Sequence, residues 1–201
     1  MIKVLNLYAG IGGNRKLWKD VEVTAVERDK QIAKIYQDFF PDDTVVTANA
    51  HKFLIENYYK YDFIWSSPPC PTHSTMRNLK NNCEEVKKKY PNMMLYEEIL
   101  YLQHFFKGKW VIENVISWYN PLVKPYESEN HYFWSNFHIS KRNKIERNIR
   151  TKVTENKWGF NLTNYNIPKN LKNKILNNLV NPYLGKYIFD CAFKEKQEVL
   201  I

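Results

Sequence analysis

The residues of this chain equipped for chemistry are a thiol, two carboxylates and a glycine loop, each placed just after a short apolar run. Cys70 lies in the stretch Asp62-Phe-Ile-Trp-Ser-Ser-Pro-Pro-Cys-Pro-Thr-His-Ser74. Pro68 and Pro69 lack backbone donors and fix φ, so no strand or helix runs through them. The apolar run 62–65 must therefore stop, and a stiff turn presents Cys70 just past its end. A thiol held there is either a nucleophile, if it forms the thiolate, or a small buried hydrophobe of the kind most free cysteines are. Cys70 alone leaves both readings open, and the elements around it decide between them.

Four apolar runs in succession read as strands of an α/β sheet, in which ligands bind outside the carboxyl ends of the strands. The run 3–8 feeds Ala9-Gly-Ile-Gly-Gly13, with Asn14 expected to cap a helix through Leu17 and Trp18. Glycines there let a ligand lie against the backbone near a helix's positive end. The spacing is not G-x-G-x-x-G, which argues against a dinucleotide pyrophosphate site and a nicotinamide oxidoreductase. The run 21–26 ends at Glu27, an acid positioned to accept hydrogen bonds from a ribose. A third unit, strand 44–47, is followed by Asn49-Ala-His51. After the Cys70 turn, residues 93–106 read as a helix with Leu95, Ile99, Leu102 and Phe106 on one face, Glu97 and Glu98 on the other, and Gly108 as its stop. The next strand, 110–112, delivers Glu113-Asn-Val115. Gly10, Glu27, Cys70 and Glu113 thus reach one edge of a parallel sheet, which favours the nucleophile reading of Cys70. An aromatic strand follows at 131–137, then a helix near 169–179, and Asn181-Pro182 open a last helix through Ile188 and Phe193.

The 201 residues, 44% hydrophobic and 25% charged, fit one soluble globular domain. The net charge of +9 points to an anionic partner. Residues 141–174 hold ten basic side chains against Glu146 and Glu155, a net of +8. The stretch is either a solvated face or a polyanion-binding surface, and Trp158, Phe160 and Tyr165 favour the second. Cys70, Cys83 and Cys191 are odd in number and far apart, which indicates neither a disulfide framework nor a metal site. No run has transmembrane length and the N-terminal apolar run is too short for a signal peptide, so a reducing cytoplasm is expected.

The order Tyr8-Ala-Gly-Ile-Gly-Gly13, Glu27, Pro68-Pro-Cys70, Glu113-Asn-Val115 resembles the C5-cytosine DNA methyltransferases, and Asn178-Leu-Val180 is similar to that family's last motif. The resemblance implies a Rossmann-like α/β fold, with a mostly parallel seven-stranded sheet and helices on both faces. It implies S-adenosylmethionine as cofactor, leaving as S-adenosylhomocysteine, and contacts to it from Tyr8, Gly10, Ile11, Gly13, Glu27, Arg28, Asn49, Ala50, Pro69, Asn178 and Val180. It implies Cys70 as the nucleophile on carbon 6 of a flipped cytosine and Glu113 as the acid at N3. Ser74, Asn114, His131, Arg142 and Arg147 would meet double-stranded DNA. His73 is expected to face DNA or to be a satisfied polar residue rather than a base.

The chain departs from the family pattern at several positions. Pro71 follows the cysteine where glutamine is frequent, and Asn49 stands where an acid commonly meets the adenine amino group. Arg28 replaces an apolar or aromatic residue, and Glu129 and His131 occupy places usually held by arginines. The expected organisation is a catalytic core at 1–139, a short basic recognition segment at 140–169 and C-terminal helices at 170–201. Alternatives are a weakly catalytic DNA-binding relative, one chain of a two-chain enzyme, and an RNA cytosine-5 methyltransferase. An amino-methyltransferase fits less well, because that chemistry uses no thiol.

Overall fold

A computed structural model describes residues 1–82, 87–142 and 156–194 of the chain. Among the described residues nine strands form: β1 (Ile2–Leu7), β2 (Val21–Glu27), β3 (Thr44–Thr47), β4 (Phe63–Ser66), β5 (Lys109–Val115), β6 (Tyr126–Ser128), β7 (His131–Ser135), β8 (Asn156–Lys157) and β9 (Phe160–Asn161). The α-helices are α1 (Lys30–Phe39), α2 (Ala50–Asn57), α3 (Thr75–Asn81), α4 (Met94–Phe105), α5 (Lys169–Asn177) and α6 (Pro182–Phe193). Seven strands make one sheet in the order β3-β2-β1-β4-β5-β7-β6, and β8 and β9 form a separate hairpin. Strands β1 to β5 run parallel, while β7 is antiparallel to both β5 and β6. This is the mostly parallel α/β sheet expected from the sequence.

Alternation along each strand splits the core into two layers, because successive side chains point to opposite faces. Leu5, Leu7, Ile64, Ile112 and Trp134 face α2 and α4. Val4, Phe63, Trp65, Val111 and Phe133 face α6 through Leu184, Ile188 and Phe189. All four residues of β4 are buried, as a central strand covered on both faces requires. A third cluster joins α1, the β8–β9 hairpin and α5 through Ile35, Phe160, Leu162 and Ile175. The chain leaves β1 toward β2 and β3 on one side, and β4 and β5 lie on the other. The order reverses between β1 and β4, and that reversal opens a crevice at their carboxyl ends.

Four local expectations are corrected. Asn14 does not cap a helix through its side chain; it opens a 3₁₀ turn, Asn14–Leu17, and is buried. Its amide donates to Asn6 Oδ1 at 2.8 Å, so the two buried asparagines satisfy each other inside the core. Glu98 is not on a polar face of α4: it is fully buried, whereas Glu97 is exposed. Phe160 and Tyr165 are not stacking platforms, since Phe160 is fully buried and Phe39 packs on both rings. The aromatic strand ends at Ser135, before Phe137. Among the described residues no helix is long and apolar enough to cross a membrane.

Candidate active site

One cleft of about 570 Å³ occupies the crevice at the β1/β4 reversal. Its floor is the glycine loop after β1, where Tyr8, Gly10, Ile11 and Gly13 all line the space. Gly10 has φ +55° and nothing within 4 Å of the position a Cβ would take, so the backbone is bare toward the cleft. Gly13 serves a different need: a Cβ there would lie 2.4 Å from the Val180 carbonyl. Only a glycine lets the Leu179–Val180 segment close over the loop, and Asn178 and Val180 thereby join the lining.

Glu27 ends β2 with its carboxylate fixed by two backbone donors, Gly10 N–H and Asp29 N–H, each at 3.0 Å. Two bonds leave the carboxylate with further lone pairs for a pair of hydroxyls. Arg28 stands beside it on the rim, and Asn49 and Ala50 open α2 on the facing wall. Asn49 accepts the Lys52 N–H at 3.1 Å and so caps α2 while lining the cleft. A bare glycine backbone, a preset acid and a helix N-terminus fit the nucleoside and amino-acid parts of S-adenosylmethionine.

The other half of the cleft carries the groups expected to react. Pro69, Cys70, Glu113, Asn114 and His131 line it together. Pro68 is buried and Asn114 Nδ2 donates to its carbonyl at 3.0 Å, which ties the Cys70 turn to β5. The turn closes on itself where His73 N–H and Ser74 N–H both donate to the Cys70 carbonyl, at 2.9 and 3.2 Å. Burial, and after it the charge of Glu113, push the Cys70 thiol up. Glu113 is 7% exposed, and His131 Nε2 approaches its Oε1 at 3.8 Å.

Other expected residues lie elsewhere. Ser74 borders a shallow hollow with Pro71, Met76, Arg77 and Lys80 outside the main cleft. Arg142 is not among the cleft's lining; its Nε sits 3.1 Å from Glu129 Oε1 and its guanidinium lies over Tyr187. Arg147 and Cys83 lie outside the described residues. His73 does not face the surface: it is buried, its Nδ1 lies 2.6 Å from the Tyr119 hydroxyl, and burial pushes its pKa down. Cys191 is half-buried against the α6 layer, with its thiol also pushed up by burial.

The sequence reading missed a buried group behind the cleft. Glu98 accepts from the Tyr8 hydroxyl and Ser66 Oγ, both at 2.6 Å, and lies 3.2 Å from His51 Nδ1. Burial and Glu98 together push the Tyr8 hydroxyl far up, so it stays a donor. Leu95, Glu98, Ile99 and Leu102 follow the i, i+3, i+4, i+7 spacing, so Glu98 stands on the apolar stripe itself. An acid on that stripe was the signal. Lys174, Ile32 and Met94 also line the cleft and had no motif to mark them.

A sheet of this order, with a ribose-ready acid and a thiol meeting at its reversal point, defines an α/β domain of the methyltransferase class. Residues 2–121 match the model of the C-5 cytosine-specific DNA methylase family. The chain belongs to that family, and S-adenosylmethionine is its cofactor. Among solved structures it is similar to a Spodoptera frugiperda DNMT2 mutant, at 27% identity and TM-score 0.40, over 57% of this chain and 36% of that one. It is also similar to the putative methyltransferase yhhF from Escherichia coli, at 16% identity and TM-score 0.44, over 67% of this chain and 74% of that one. A putative DNA modification methyltransferase from an Escherichia coli prophage aligns at 16% identity and TM-score 0.43, over 70% and 49% of the two chains. The alignment thus spans about a third of the DNMT2 chain's length. No curated protein matches this chain.

Proposed function

We propose that this protein is a DNA (cytosine-5)-methyltransferase acting through a covalent adduct on Cys70. The observation that carries the reading is the meeting of Cys70 and Glu113 in the cleft that also holds the glycine loop and Glu27. Carbon 5 of cytosine is a poor nucleophile. Addition of the Cys70 thiolate to carbon 6 forms an S–C bond and moves the ring's electron pair toward carbon 5 and N3. Glu113, as the carboxylic acid, gives its proton to N3 and keeps that charge from building. S-adenosylmethionine, held by the loop and Glu27, supplies an electrophilic methyl group. Because Glu113 is nearly buried and Cys70 half-buried, a base paired in a duplex cannot reach them, which supports base flipping. The proposed organisation keeps residues 1–139 as the catalytic core and 140–169 as a short basic recognition segment meeting the nucleic acid, with 170–201 as C-terminal helices returning to the core.

The test is purified protein with labelled S-adenosylmethionine and, in parallel, duplex DNA and structured RNA. The expected result is 5-methylcytosine in DNA, none with Cys70→Ser, and a rate lower by about 10²–10⁴ with Glu113→Gln. Undiminished product from Cys70→Ser rejects the adduct, and product in RNA alone reassigns the substrate.

A further inference from the structure

The Cys70 turn is fastened on both sides to β5 and to the residues that follow it. Before Cys70, the Pro68 carbonyl accepts from Asn114 Nδ2 at 3.0 Å. After Cys70, residues 72–74 are joined to residues 117–119, just past the end of β5. Trp118 N–H donates to the His73 carbonyl and Trp118 Nε1–H to the Thr72 carbonyl, each at 3.1 Å. Ser74 and Ser117 meet in an antiparallel bridge. Asn92 N–H, just before α4, donates to Thr72 Oγ1 at 2.9 Å. Between the two anchors lie only Pro69, Cys70 and Pro71, and both prolines have φ fixed by their rings.

Within residues 69–74 the one buried side chain is that of His73, 1% exposed. Its Nδ1 lies 2.6 Å from the Tyr119 hydroxyl. Leu122 N–H donates to the Tyr96 hydroxyl at 3.2 Å, and the Tyr96 hydroxyl donates to that of Tyr119 at 3.3 Å. The Tyr119 hydroxyl is thereby left to donate to Nδ1, which accepts as part of a neutral ring. Burial pushes the His73 pKa down and the Tyr119 hydroxyl up, which keeps both groups in those forms across the neutral range. Tyr96 stands on α4, so the histidine ties the turn to that helix as well.

Resting on the reading of Cys70 as nucleophile, we propose that His73 is a positioning residue, pinned by Tyr119, that fixes the Cys70 sulfur relative to Glu113. The turn and the continuation of β5 then move as one body, so a shift of either carries the thiol and the carboxyl together. Addition of sulfur to carbon 6 while N3 takes a proton needs both groups on one ring at once. A misplacement of about 1 Å in such an arrangement lowers the rate by up to about 100-fold. The pin reaches the sulfur through the backbone, because His73 N–H and Ser74 N–H both donate to the Cys70 carbonyl.

Tyr119→Phe removes one oxygen, and His73→Phe keeps an aromatic ring while removing the acceptor. Each is expected to lower kcat about 10- to 100-fold, with the Kd for S-adenosylmethionine within about twofold of wild type. The double variant is expected to fall no further than either single one, because all three lack the same bond. His73→Asn, whose amide oxygen stands in for Nδ1, is expected to recover most of the loss. Hydrogen exchange separates positioning from plain packing: in Tyr119→Phe the His73, Ser74 and Trp118 amides should exchange about tenfold faster while those of β1 and β2 hold. Unchanged exchange at the turn, or a uniform rise throughout the chain, overturns the proposal. So do wild-type kcat in both single variants and losses that multiply in the double one, and in each case the cytosine-5 reading stands. A wild-type protein that forms 5-methylcytosine in neither DNA nor RNA instead sinks that reading, and the positioning role with it.

Discussion

Burial and the facing carboxylate of Glu113 act on Cys70 in the same direction, so across the neutral range the resting side chain is the thiol. A neutral Glu113 removes one of the two causes. The two groups are therefore coupled: an uncharged side chain at position 113 makes the Cys70 thiolate easier to form, as the proposed reaction requires. Alkylation by iodoacetamide reads this directly, because only the thiolate reacts. At pH 7.5 Cys70 is expected to react more slowly than a free thiol, and Glu113→Gln to speed it about three- to tenfold. Mapping of the labelled peptide separates Cys70 from Cys83 and Cys191. Equal rates in wild type and Glu113→Gln would show that the carboxylate does not act on the sulfur.

Helix α4 matters to the cleft through Glu98, which receives bonds from three other pieces of the fold: Tyr8 after β1, Ser66 in β4 and His51 in α2. Glu98→Leu leaves those donors without their acceptor and is expected to cost about 2–4 kcal/mol in denaturant unfolding, with weaker cofactor binding because Tyr8 lines the cleft. The pH dependence follows from His51, whose pKa is raised first by its hydrogen bond to Glu98. Its contribution is full below the unfolded value near 6.5 and is lost as pH rises through the higher folded value. The gap in stability between wild type and Glu98→Gln should therefore narrow from pH 6 to pH 9; a constant gap would remove His51 from the account. The parallel strands were legible because each is a short apolar run, two of them closed off by the glycine loop after β1 and the prolines after β4. Glu98 was not, because its neighbour Glu97 suggested a polar face while its burial depends on partners 32 to 90 residues away. Strand β6 was also missed: its turn uses Glu129-Asn130, both with positive φ, rather than the usual glycine-containing pair, and Arg142 pairs with Glu129 there.

Across the whole molecule the charge of +9 is not spread as the basic stretch alone suggests. Within that stretch Lys141 pairs with Glu127, Arg142 pairs with Glu129, and Lys174 turns into the cleft. Lys80, Lys87 and Lys88 are exposed on the segment that follows the Cys70 turn, and Arg77 and Lys80 border the hollow beside Ser74. Positive charge therefore lies next to the reactive mouth as well as along residues 141–174. A nucleic acid entering there would release counterions, so log K should fall linearly with log salt. With about four phosphates neutralised, affinity should drop roughly 100-fold between 50 and 200 mM salt. Reversing two of these charges, Lys80→Glu with Lys87→Glu, is expected to make that slope shallower by about two while leaving S-adenosylmethionine binding alone. Both sites are exposed, so the variant should keep its fold, and a slope unchanged from wild type would move the phosphate contacts away from the Cys70 turn.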